Sequence, residues 1–78
     1  MNNPTKHKIN SIVLNYEHYG RMYYDNCILC NKALEDEFGE SIATCLEYIG
    51  QDGCCVYYCY SIAWIEDNKP KVFSITVK

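Results

Sequence analysis

Residues 54–66, CCVYYCYSIAWIE, restrict the fold of this chain more than any other stretch. Their aromatic and β-branched content, without an internal glycine or proline, marks a strand. Taken alternately, one face carries Val56, Tyr58, Tyr60, Ile62 and Trp64, and the other Cys55, Tyr57, Cys59, Ser61, Ala63 and Ile65, so neither face is charged before Glu66 at the end. A strand of this pattern calls for cover on both sides, from within 78 residues or from another molecule. A domain of that size buries only roughly 60% of the surface its unfolded chain exposes, so few layers can be built.

The turn formers in EDNKP join this strand to a second one over 71–78, which predicts a C-terminal antiparallel β-hairpin of about 54–66 and 71–78. Upstream, small or apolar residues recur at Ile12, Val13, Tyr16, Gly20, Tyr23, Cys27, Cys30, Leu34, Phe38, Ile42, Cys45 and Ile49, a spacing close to 3.6. This predicts a helical N-terminal half. One helix would begin at Asn3 and Pro4 and end at Gly20, and a second would run from Asp25 or Asn26 to Ile49, with its surest part about 31–49 and a kink or break at Gly39. The expected fold is α+β, one small domain over 1–78. The β-branched and aromatic content of residues 9–29 keeps an alternative open, a ββαββ chain whose N-terminal hairpin turns at Gly20. In the main reading the small Cys59, Ser61 and Ala63 receive the helix ending at Ile49. The bulky face then meets the N-terminal segment or a partner.

Composition excludes several functions. Hydrophobic residues at 49% and charged residues at 22% do not describe a disordered chain, and a net charge of −3 with Arg21 as the single arginine gives no footprint for nucleic acid. No window approaches 18 apolar residues, so no membrane span is expected, and the polar MNNPTKHKIN start points to a cytoplasmic protein with reduced thiols. CILCNK, with Cys27 and Cys30, resembles the first knuckle of zinc ribbons and treble-clef fingers. The resemblance implies zinc held with two of the later cysteines, of which Cys54, Cys55 and Cys59 do not repeat the spacing. The preferred reading places Cys27, Cys30 and Cys45 on a buried helical stripe, with no metal or cofactor. His7 and His18 lie in polar surroundings without a partnered nucleophile, and Gly20, Gly39, Gly50 and Gly53 are isolated, so no catalytic site or phosphate loop is expected.

What remains is binding. Glu35, Asp36, Glu37 and Glu40 form an acidic cluster suited to a basic protein surface, and Tyr58, Tyr60 and Trp64 are the residue types that anchor interfaces. The expected function is a non-enzymatic interaction protein, a regulator or inhibitor that binds a partner protein. Such proteins, including inhibitors of host defence, are commonly encoded by phages and mobile elements, and the Asn, Lys, Ile and Tyr content fits AT-rich codons. The alternative is a small zinc-binding module. Because two strands make a marginal sheet, a homodimer through the C-terminal hairpin is also expected.

Overall fold

A computed structural model that describes residues 2–78 has two helices ahead of three strands: α1 (Lys6–Leu14), α2 (Tyr24–Phe38), a 3-10 turn (Gly39–Ser41), β1 (Ile42–Asp52), β2 (Cys55–Glu66) and β3 (Lys69–Val77). The α+β class and the C-terminal hairpin are as the sequence indicates. The helix boundaries differ. Thr5, not Asn3, caps α1: its hydroxyl accepts a hydrogen bond from the Lys8 backbone N–H at 3.2 Å. α1 ends at Leu14, and Gly20 (φ +76) instead forms a tight turn with Tyr19 (φ +50), closed by backbone bonds between His18 and Arg21.

α2 begins within two residues of the expected position and stops at Phe38. Gly39 takes φ +60, open to glycine at little cost, and its N–H bonds the Glu35 carbonyl. Residues 42–49, expected to continue that helix, are strand. Ile42, Cys45 and Ile49 fit a helical repeat, but Ile42, Leu46 and Tyr48 fit a period of two equally well, and pairing with β2 decides between them. No N-terminal hairpin forms, and β1 supplies the third strand.

The strands lie in chain order, β1-β2-β3, all antiparallel. Gly53 (φ +59) opens the two-residue turn between β1 and β2. Asp67 (φ +53) and Asn68 (φ +63) make the turn between β2 and β3, both in the left-handed region that a type I′ turn demands. The turn is thus shorter than EDNKP suggested, and Lys69 and Pro70 belong to β3.

Both helices cover the aromatic face of β2: α1 does so as one of the two expected covers, whereas α2 lies on the face opposite to the one expected for the longer helix. Tyr60 and Ile62 are fully buried and Trp64 is 5% exposed, packed with Ile9, Val13, Cys27, Cys30, Leu34 and Phe38. The small residues that let helix and sheet approach are on the helix, Cys27 and Cys30, so the strand supplies the bulk. Fully burying each large side chain contributes about 1.5–3 kcal/mol, which favours covering this face over its small-residue opposite. The polar tips find partners inside the chain. The Tyr60 hydroxyl donates to Asn31 Oδ1, and Trp64 Nε1–H donates to Glu66 Oε1 at 2.9 Å. Among the described residues no buried side-chain nitrogen or oxygen lacks a partner. The sheet overruns its helices, since the twelve residues of β2 extend about 40 Å while the fifteen of α2 extend about 22 Å.

Candidate functional site

Cys27 and Cys30 sit one helical turn apart on α2, both fully buried against Tyr60. Burial, reinforced by the neighbouring Cys30 sulfur, pushes the Cys27 thiol up to about 11. Burial also raises the Cys30 thiol, partly offset by a hydrogen bond with Tyr60. Both are protonated at neutral pH, and a thiol is a much weaker nucleophile and metal ligand than a thiolate. The other four cysteines lie elsewhere: Cys54 and Cys55 are exposed at the β1–β2 tip, while Cys45 and Cys59 are on the sheet face away from the helices. The structure does not bring these groups to the CILC pair. Among the described residues no three His, Cys, Asp or Glu side chains converge as a ligand set, and His7 and His18 are exposed.

The acidic residues remain together near the end of α2. Glu35, Asp36 and Glu40 are exposed, whereas Glu37 is half-buried and accepts from the Asn2 side-chain amide. The aromatic anchors are dispersed. Tyr60 and Trp64 are inside the core and closed to any partner of the folded chain. Tyr58 is half-buried, its ring 5.0 Å from that of Tyr24 and 6.1 Å from that of Tyr48. Next to the acidic residues is a cleft of about 640 Å³ lined by Thr5, Glu40, Glu66 and Asp67 among others. Glu66 is already engaged there, holding the Trp64 indole and the Lys6 backbone N–H, each at 2.9 Å, which fastens the start of α1 to the end of β2. Those two bonds, that from Trp64 first, hold its carboxyl below the usual range.

Two features unmarked in the sequence stand out. The first is the open sheet face. Residues directly opposite in the antiparallel register share a face, so Ala43, Cys45 and Glu47 of β1 join Cys59, Ser61 and Ala63 of β2 and Val72, Ser74 and Thr76 of β3. Neither helix covers this side, and Glu47 is the one charged residue in that group of nine. Val72 is 66% exposed and Ile65, on the same side, 60%. The alternating small residues of β2 and β3 carried this signal. It goes unrecognised when the helix is assigned to them.

The second feature is an unpaired edge. A two-residue hairpin closes on a hydrogen-bonded pair, here Asp52 with Cys55 and Glu66 with Lys69. Counting back by twos, even-numbered residues of β2 bond β3 and odd-numbered ones bond β1. Ala43, Cys45 and Glu47 therefore turn their backbone groups toward β2, and Ile42, Thr44, Leu46 and Tyr48 turn theirs outward. The opposite edge, β3, is guarded. Pro70 has no N–H to offer, Lys69 and Lys71 place charge there, and Lys78 donates to the Met22 carbonyl while accepting from the Tyr24 N–H at 2.7 Å. β1 has no proline, lysine or arginine along Ile42–Asp52.

Comparison with known protein families, with curated proteins and with solved structures finds no match for this chain. Among the described residues no helix is long and apolar enough to cross a membrane.

Proposed function

We propose that this chain is a non-enzymatic protein-binding domain, a regulator or inhibitor that acts by occupying the surface of a partner protein. The observation that carries this reading is the uncovered sheet face, nine side chains from three strands with Glu47 as their one charge. Depletion of charge is a compositional mark of the desolvated centre of an interface. The partner supplies an apolar, weakly charged surface of its own, with a basic residue at its margin that meets Glu40, beside Ala43 and Ile65 at one end of the sheet, while Glu35 and Asp36 on the helix side act only through their longer-range field.

The test is a paired capture from cells that contain the partner. Val72→Glu combined with Ser74→Arg charges the open face at two exposed positions, and His7→Glu charges the exposed side of α1 as a control. The captured partner is lost with the double variant and retained with His7→Glu. Equal retention by both would exclude the sheet face as the binding surface.

A further inference from the structure

We propose that β1 pairs antiparallel with β1 of a second copy across a two-fold axis at Cys45, joining two three-stranded sheets into one of six strands. The inference uses the edge of the strand and stands apart from the partner assigned to the sheet face. Four observations lead to it. The outward backbone groups of Ile42, Thr44, Leu46 and Tyr48 have no partner in the sheet, and an unpaired edge is a template for another strand. The guards present on β3 are missing here, so the two edges of one small sheet are treated differently. The helix layer covers β1 only in part: on its helix side Ile42 and Leu46 pack against the core, but Thr44 is exposed and Tyr48 is 56% exposed, which leaves room for a neighbouring strand. Residues 42–48 pair regularly with β2, and the register shift comes after Tyr48, where pairing along the outer edge would also end.

The register follows from the backbone and the charge. In a two-fold antiparallel pair each residue faces the one equally far on the other side of the axis. With the axis at Cys45, Thr44 faces the Leu46 of the second copy and Ile42 faces its Tyr48. All four are outward-bonding residues, giving about eight backbone hydrogen bonds over the symmetric pair. Glu47 then faces Ala43, so the charge of this segment never meets its own copy. An axis at Glu47 would place like charges opposite one another. Cys45 faces itself at a non-hydrogen-bonded position, where Cα atoms lie about 4.5 Å apart, within the span a disulfide bridges.

Two measurements test this. Light scattering in the presence of reductant gives twice the 9.1 kDa of one chain for the wild type. Thr44→Pro gives the single mass with the circular dichroism of the folded chain, because the N–H it removes points away from β2. Thr44→Lys, which keeps the backbone intact, also gives the single mass. For the second measurement, Cys54→Ser, Cys55→Ser and Cys59→Ser leave Cys45 as the one cysteine outside the core. Diamide then removes the two thiol hydrogens from a facing pair, forming the S–S bond and becoming the hydrazine. Rapid, complete crosslinking is expected, and it is abolished in the Thr44→Lys background. A wild-type mass of 9.1 kDa at high micromolar concentration would overturn the pairing and leave the edge to a strand of another protein. A dimer unchanged by both Thr44 variants, or a Cys45 crosslink no faster than that of a chain retaining only Cys54 outside the core, would overturn it as well.

Discussion

The contact between Tyr60 and Asn31 is the point where the buried sheet face meets a polar group of α2, and its energetics can be worked out before measurement. The Tyr60 hydroxyl is fully buried and donates to Asn31 Oδ1, whereas Asn31 is half-buried and within reach of water. The two single substitutions are therefore unequal. Tyr60→Phe removes the donor, leaves an amide that water can satisfy, and costs about 0.5–1.5 kcal/mol, the net value of one hydrogen bond. Asn31→Ala strands a buried hydroxyl beside the weakly accepting Cys30 sulfur and costs about 1–3 kcal/mol, reduced by some 0.5 kcal/mol of helix propensity gained at that position. In the Y60F background no hydroxyl remains to strand, so the second substitution is close to neutral. The propensity gain appears in both arms of the cycle and cancels. Against a total stability of roughly 4–12 kcal/mol for a chain of this length, a coupling of about 1–3 kcal/mol is easily resolved. Urea unfolding of the four proteins in reductant, followed by circular dichroism, gives the cycle. If Asn31→Ala costs as much with Phe at position 60 as with Tyr, the hydrogen bond contributes nothing specific and the account of this contact is wrong.

Other predictions concern pH, the turns and the charged surface. The Cys27 thiol is raised from its ordinary 9.0 to about 11, so the native chain keeps a proton that the unfolded chain loses; stability falls as pH rises through that window, and Cys27→Ala flattens the fall in urea titrations at successive pH values. Glu66 has the opposite sign: its lowered carboxyl adds stability above its ordinary value near 4.5 that is lost as pH falls through the native one, and Glu66→Gln removes this acid dependence while shifting Trp64 fluorescence. Asn68→Val forces a β-branched residue into φ +63 and costs about 1–2 kcal/mol, whereas Asn68→Gly is neutral or stabilising, both read from thermal melts. Reversing charge at Glu35 and Asp36 slows association with a basic partner, and added salt erases the difference between variant and wild type; an on-rate indifferent to both would make the cluster a solvated surface.

The C-terminal hairpin and the start of α2 were legible because each rests on local chemistry: β-branched and aromatic runs with turn residues between them, and a polar opening followed by a helical apolar stripe. β1 was not, because its residues satisfy both periods. The local sign that decides it is Gly39, which ends the helix outright with a positive φ where a helical reading through Ile49 admits only a kink or break. The choice of covered face failed for a different reason. Small residues on a strand suit the approach of a helix, but closeness needs small residues on only one of the two surfaces, and Cys27 and Cys30 provide it from α2. The demand that Tyr60 and Trp64 make for polar partners then suggested an interface, when Asn31 and Glu66, distant or unremarkable in sequence, meet it internally.

Strand order that follows chain order has a kinetic consequence. Each strand pairs with its sequence neighbour across two residues, so both ladders can zip from their turns, a process that in isolated hairpins takes about 1–10 μs. The contacts that close long loops are those between the N-terminal half and the sheet, such as Met22 with Val77 and Lys6 with Glu66. Loop closure costs entropy before it yields burial, so these contacts form late, after the local strand pairing. The chain should fold quickly for a protein with a sheet. Substitutions in the type I′ turn at Asp67 and Asn68 should change the folding rate, while those at the α1–β2 junction should chiefly change the rate of unfolding.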